Sequence, residues 1–401
     1  MKSATRSAEP TSVGFALLAQ SPSIISSVDA LARLLQGAGL RVEILDLRTL
    51  CARQARLSPP NGHVPASHGT DNTGGNVTRP WLLTADRLIF VTDAANLPPP
   101  EVFDLALGGA PADSAELIIV HEKGSGAPAG TDAVLARLGP RLHHHIREGS
   151  TEDIARFARL ILGRGVGVVF SAGGTSIRRR FAMLGALHAL RDLRVALDFW
   201  GGASIGAVAA AVGAAEVDSS EALRYFRRAF VDDDVLNDLE GNKITRLLQE
   251  RFGDARLEDC WRPCFCVSYD CTSQRIKVHR RGPLHRAIRA SVAIPGFLSP
   301  VVEQNETLID AAMINPLPVD VMRELHTGPI IAVDIMSNAL NVAVGARTTA
   351  PDHLLKPEMP PLEQPGSRDW ADYERVVDSA YHYVFNVFDK AAVDLPRAWE
   401  V

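Results

Sequence analysis

The sequence predicts an α/β protein made of two domains of that class, and three observations predict it. From residue 13 to 147, short apolar runs alternate with helix-like segments, the pattern of a βαβ layer on a parallel sheet. At Gly165 a β-branched run, GVGVVF, gives way to a glycine-bearing turn, SAGGTS, and then to FAMLGALHALRDL, which is apolar at helical spacing. A second strand, turn and helix follow in DFWGGASIGAVAAAVGAA. With 401 residues, 46% of them hydrophobic, the chain can fill two cores at about 100 to 200 residues per domain.

The elements follow in order. Residues 1–12 read as a disordered N-terminus. Val13 to Leu18, Val42 to Leu47, Arg87 to Thr92 and Leu117 to His121 read as strands, and Ile24 to Leu35 as a helix stopped by Gly37 and Gly39. Arg53 to Thr78, rich in Pro, Gly, Asn, Ser and Thr, reads as a long surface loop. Residues 13–147 therefore form a Rossmann-like accessory domain. AQSPSI after its first strand offers neither G-x-G-x-x-G nor a Gly-Lys-Ser/Thr loop, so nothing there cradles a pyrophosphate. His143, His144 and His145 would alternate faces in a strand and cannot converge as ligands, which makes a solvated or interdomain polar segment the expectation. Thr151 heads a helix with Glu152 and Asp153 in its first turn, favoured by the helix dipole, and residues 148–164 read as a connecting helix.

Composition excludes several functions. A net charge of −5 and a pI near 6.2 leave no surplus of cations to coat a phosphate backbone, so no nucleic-acid partner is expected. Five cysteines argue for reduced thiols in the cytoplasm. Four of them, Cys260, Cys264, Cys266 and Cys271, cluster, but without paired Cys-x-x-Cys knuckles or a His pair, and no metal is expected. No window reaches the roughly 18 apolar residues that cross a bilayer, and the apolar run FALLA is too short for a signal peptide. A membrane would be met from the water side, peripherally, at its inner face.

The chemistry concentrates in Gly202-Ala203-Ser204-Ile205-Gly206, a G-x-S-x-G sequence between a short strand and an Ala-rich helix. On a sharp strand-to-helix turn a serine hydroxyl is exposed at a helix N-terminus, and small neighbours let the backbone bend. Free N–H groups there stabilise negative charge on an attacked carbonyl. Taken alone, the same pentapeptide is also compatible with a tight turn that has no chemistry.

Two further blocks carry a resemblance. ASVAIPGFLSPV (Ala290 to Val301) is followed by LIDAAMINPLPVDVM (Leu308 to Met322). Together with G-x-S-x-G they resemble the patatin-like phospholipase family, closest to bacterial relatives of neuropathy target esterase, with its glycine-rich oxyanion loop, A-S-x-x-I-P-G segment and D-G-G or D-G-A motif leading to N-x-x-P. The resemblance implies a three-layer α/β/α hydrolase domain over residues 165–335, followed by a linker and C-terminal helix over 336–401. It implies Ser204 as nucleophile and Asp310 as its base, with no histidine, and a serine esterase or lipase acting on phospholipid, lysophospholipid or other lipid esters without metal or organic cofactor. Gly202 and Gly206 shape the elbow, while Gly173, Gly174 and Ile205 supply the oxyanion hole. Two departures stand out. Asp310-Ala311-Ala312 replaces D-G-G or D-G-A, and SAGGTSIRRR replaces the glycine run, with Arg180 where the last glycine falls. Arg178, Arg179 and Arg180 suit an anionic head group, or a solvated basic turn.

Two other readings compete. An α/β-hydrolase needs a late histidine, for which His326, His353 and His382 are the candidates. A degenerate hydrolase would instead serve as a lipid-binding or regulatory module, because losing one oxyanion donor costs on the order of a hundred to a thousandfold in rate. Asn341 to Ser367 reads as a loop, and Ala371 to Val393 as a helix whose aromatic residues spread over more than one face. The sequence leaves oligomeric state, head group and acyl length open.

Overall fold

The computed structural model describes residues 12–18, 22–46, 87–94, 97, 115–122, 124, 142–174, 176–336, 349–360, 369–391, 395–398 and 400–401. The chain divides into two compact units, residues 8–154 and, for the rest of the described chain, residues 155–401. Of the N-terminus expected to be disordered over 1–12, residues 1–11 lie outside the described residues, as does the loop expected over 53–78, and Ser12 already belongs to the first strand.

In the first unit, β1 (Ser12–Leu17), α1 (Pro22–Gly37), β2 (Arg41–Asp46), β3 (Arg87–Asp93), β4 (Ala115–His121) and β5 (Leu142–Arg147) build a five-stranded sheet ordered β2-β1-β3-β4-β5. All its pairings are parallel. Strands of a parallel sheet are buried on both faces and read as continuous apolar runs; AELIIVH of β4 is buried along its whole length. The histidine triplet corrects the expectation of a solvated segment. It forms β5, and His144 and His145 are buried. His145 Nδ1 lies 2.8 Å from His121 Nε2, and His144 lies 3.4 Å from Glu116. Polar partners on β4 are what allow histidines in the sheet, because a buried polar group without a hydrogen bond is costly.

Helix α2 (Thr151–Ile161) follows, and the Ser150 hydroxyl accepts from the Asp153 amide as a cap. The second unit continues with β6 (Val166–Phe170), α3 (Ile177–Asp192), β7 (Leu197–Ala203), α4 (Ile205–Ala214), α5 (Ser219–Arg227), a π-helical turn (Arg228–Asp232), α6 (Asn242–Phe252), β8 (Cys264–Asp270), β9 (Arg275–His279), α7 (Leu284–Ser291), β10 (Val301–Glu303), β11 (Glu306–Asp310), α8 (Val319–Leu325), β12 (Ile330–Val333), β13 (His353–Leu355) and α9 (Trp370–Ala391). Its eight strands run β10-β11-β8-β7-β6-β12-β13, with β9 against β8. Strand β13 falls inside the stretch expected to be a loop and extends the sheet by pairing parallel with β12. Three residues are too few to leave a periodic trace.

One feature of β8 decides where the chemistry sits. Cys266 to Asp270 pair with β9 along one edge, so β7 and β11 must share the other. They do so end to end. Ala203 of β7 faces Val267, and Asp310 of β11 faces the next residue, Ser268. Sheet pairing thus delivers the end of β11 to the point where β7 stops.

Candidate active site

Strand β7 ends at Ala203 and α4 starts at Ile205, leaving Ser204 alone in the turn with φ 57° and ψ −125°. A non-glycine residue at positive φ stores backbone strain that the surroundings must hold, and such strain clusters at functional turns. The surroundings here are close. A Cβ on Gly202 would lie 2.2 Å from the Gly206 carbonyl oxygen, and one on Gly206 would lie 2.2 Å from that of Phe170. The glycines of G-x-S-x-G are therefore required by contact with backbone.

The A-S-x-x-I-P-G segment holds the turn from the other side. The buried Ser291 hydroxyl accepts from the Ser204 amide at 2.9 Å and donates to the Val267 carbonyl at 2.6 Å. Two residues on, the Ala293 carbonyl accepts from the Asp310 amide at 2.9 Å. One short segment thus fixes the backbone of both Ser204 and Asp310. The A-S-x-x-I-P-G motif was legible in the sequence, but the bonds that its serine makes to the elbow and to β8 were not.

Ser204 and Asp310 are both buried, at 2% and 3% exposure. Burial pushes the Asp310 carboxyl from 3.8 up to about 6, against the opposing pull of the Ser204 hydroxyl, the Ala312 amide and the Arg180 guanidinium. Oδ1 accepts from the Ala312 amide at 2.8 Å. Oδ2 has no donor at full hydrogen-bond geometry among the described residues, so the contact with Ser204 is close but loose, as is common before substrate tightens a site.

The glycine loop lies beside this pair. A Cβ on Gly173 would come within 2.9 Å of Ile205 Cγ2, so loop and elbow touch. Among the described residues no group accepts from the Gly173 or Gly174 amide, and the neighbouring Ala172 amide is used by the Pro316 carbonyl at 2.8 Å. The three arginines are not one solvated basic turn. Arg180 is 2% exposed. Its Nη2 donates to the Gly174 carbonyl at 2.9 Å, and its guanidinium covers the Phe230 ring at 4.6 Å from the centroid. Arg180 Nη1 is buried without a partner. Arg178 donates to the Pro360 carbonyl.

The histidines expected of an α/β-hydrolase are elsewhere. His326 Nε2 lies 2.6 Å from the Gly165 carbonyl, at the start of β6, whereas the glycine loop leaves its other end. His353 sits in β13, and the exposed His382 bonds the Asp378 carbonyl. Among the described residues no histidine hydrogen-bonds Ser204 or Asp310. His279 Nε2 meets the Ser268 hydroxyl at 2.7 Å, and burial, aided by Lys277, lowers its pKa to about 4. Cys260, Cys264 and Cys266 are buried in the core and Cys271 is exposed, with no metal-binding cluster among the described residues.

The second unit has the patatin-like α/β/α fold, with Ser204 on a strained strand-to-helix turn, a buried carboxyl at the end of β11 and a glycine loop that touches the elbow. Residues 168–323 match the family model of the patatin-like phospholipase. It is 34% identical over 207 residues to an uncharacterized NTE family protein of Mycobacterium tuberculosis, an alignment covering 50% of this chain and 34% of that protein. It is 27% identical over 263 residues to neuropathy target esterase sws of Drosophila melanogaster, covering 55% of this chain and 18% of that one. With patatin-like phospholipase domain-containing protein 7 of Rattus norvegicus it shares 30% identity over 200 residues, 46% of this chain and 14% of the relative. The matched stretch thus spans between 14% and 34% of these relatives. Among solved structures, VipD from Legionella pneumophila is a distant likeness, with a TM-score of 0.40 and 11% identity over 57% of this chain and 67% of that one.

Proposed function

We propose that this chain is a serine hydrolase of lipid carboxylic esters, phospholipid or lysophospholipid among them, working through an acyl-Ser204 intermediate with Asp310 as general base. The observation that carries the reading is the placement of Ser204 on a strained elbow beside a buried carboxyl whose pKa is raised to about 6. A base of that pKa is ionised at neutral pH yet basic enough to accept a proton. In this mechanism Asp310 takes the Ser204 proton as Oγ attacks the ester carbonyl. The oxyanion is met by the Ile205 amide at the start of α4 and by those of Gly173 and Gly174. Its collapse expels the alcohol, which leaves with the proton from Asp310. Water, deprotonated by the same carboxylate, then attacks the acyl-serine, frees the fatty acid and returns the proton to Ser204. Of the three arginines, Arg180 is best suited to an anionic part of the substrate, because a buried donor without a partner gains most from one.

The protein works in the cytoplasm, meeting lipid peripherally at the inner face of the membrane; no helix among the described residues is long and apolar enough to cross it. Residues 165–335 act as the hydrolase domain and residues 13–147 as its accessory. The test is hydrolysis of p-nitrophenyl butyrate and of lysophosphatidylcholine, beside Asp310→Asn. We expect the variant to lose on the order of 10²- to 10⁴-fold in kcat, the usual worth of a general base. A second reading is that of a hydrolase turned lipid-binding module, which would tolerate SAGGTSIRRR in place of the family pattern's glycine run; Arg180, expected at its last glycine, lies instead in α3. Lipid binding without hydrolysis by the wild-type protein would select that reading.

A further inference from the structure

Arg178, Arg179 and Arg180 open α3, where the helix dipole disfavours positive charge. Arg180 is moreover buried, and a cation leaves water only where its surroundings compensate. Local structure thus argues against an arginine at this position, and its neighbours must supply the reason for it.

Three neighbours do. Nη2 donates to the Gly174 carbonyl at 2.9 Å. The guanidinium lies 4.6 Å from the centroid of the Phe230 ring, an attraction that strengthens away from water. That ring belongs to the π-helical turn and meets Phe226 edge-on, with centroids 5.7 Å apart. The carboxylates of Asp310 and Asp234 act on the guanidinium through space. Burial lowers the Arg180 pKa only to about 10, so the side chain is a cation at neutral pH.

The bond to Gly174 holds one end of the glycine loop. At the other end the Ser171 hydroxyl accepts from the Ile335 amide at 2.9 Å, and the Ala172 amide donates to the Pro316 carbonyl at 2.8 Å. Between the two ends Gly173 rests against Ile205 of the elbow. Gly174 has φ 61°, and because glycine moves between conformations at little cost, that end keeps its shape only where a neighbour fixes it.

We infer that Arg180 is a positioning residue of the candidate site: its fork pins the Gly174 end of the glycine loop, and its buried charge supports the Asp310 carboxylate. The value of this to acyl transfer rests on the hydrolase reading, whereas the two charges are coupled in the resting protein whatever it hydrolyses. Burial raises the Asp310 pKa to about 6 and Arg180 opposes the rise, so losing the cation lets that pKa climb further. Among the described residues no other charged side chain acts on Asp310.

The test uses the full chain with Arg180→Met, which removes the charge and the donors, beside Arg180→Lys, which restores a charge. On p-nitrophenyl butyrate, a neutral ester, Arg180→Met should lower kcat roughly tenfold or more with KM little changed. The rising limb of its pH–rate profile should move up by on the order of one pH unit, and Arg180→Lys should bring the limb back toward its wild-type position. Urea unfolding reads the same coupling without chemistry. The pH at which the stabilising contribution of Asp310 is lost, taken against the matching Asp310→Asn protein, should be about 6 in the wild type and higher in Arg180→Met. That shift in a protein that hydrolyses no ester would sink only the hydrolase reading. A folded Arg180→Met protein in which neither the limb nor the unfolding midpoint moves would overturn the inference, whatever happens to kcat. So would a defect confined to KM for lysophosphatidylcholine, the mark of a head-group contact alone. Should Arg180→Met not fold, Arg180→Gln, which keeps a donor for the Gly174 carbonyl, carries the pH comparison in its place.

Discussion

At the scale of single residues, the raised pKa of Asp310 has two consequences of fixed sign. Because the base acts as the carboxylate, kcat/KM should climb as pH rises through about 6 and level off above it, which a pH–rate profile on a short ester reads directly. Because the folded state holds this proton more tightly than an unfolded carboxyl near 3.8, the same group gives stability at low pH that is lost as pH rises through about 6. Denaturant unfolding should show that loss in the wild-type protein and not in Asp310→Asn. Ser291 supplies a second prediction. Its removal in Ser291→Ala leaves the Ser204 amide and the Val267 carbonyl without their buried partner, which should cost about 1–3 kcal/mol in urea unfolding and slow acylation of Ser204. The roles proposed for Ser204 and Asp310 were legible in the sequence because G-x-S-x-G and the Asp-to-N-x-x-P block are local patterns. Burial of Arg180 was not, since an Arg-Arg-Arg run looks the same in solvent and against a phenylalanine ring from another helix.

At the scale of elements, the elbow is built by close approach. A methyl group at Gly206 has nowhere to go, with the Phe170 and Ser171 carbonyls at 2.2 and 2.6 Å from its Cβ position. Gly206→Ala should therefore fail to yield folded protein or should lose Ser204 reactivity, as a thermal melt and probe labelling would report. A buried ion pair fixes another junction. Arg159 on α2 donates to Asp198 at the start of β7 at 2.7 Å, with both side chains fully buried, and Arg159 Nη1 also bonds the Ala398 and Glu400 carbonyls. Breaking such a pair strands a buried charge. Arg159→Ala should lower unfolding free energy by about 3–5 kcal/mol, measured by denaturant titration. Periodicity made strands β1 to β4, β6 and β7 and helices α1, α3 and α9 readable. It failed at β5, where three histidines disguise a buried strand, and at β13, whose three residues are too short for any period.

At the scale of the whole molecule, the α/β class followed from alternating strands and helices, but the arrangement that matters followed from nothing local. Asp310 reaches Ser204 because β7 and β11 divide one edge of β8 between them, a pairing over more than a hundred residues that leaves no trace in either strand. The family match covers residues 168–323, and within that stretch lie Ser204, Ser291 and Asp310, together with the glycine loop. If Ser204 is activated by its surroundings, it reacts with a fluorophosphonate probe. Covalent labelling of the wild-type protein is expected at Ser204, absent in Ser204→Ala and strongly slowed in Asp310→Asn. A folded wild-type protein that takes no label, or one whose labelling survives Ser204→Ala, would contradict it.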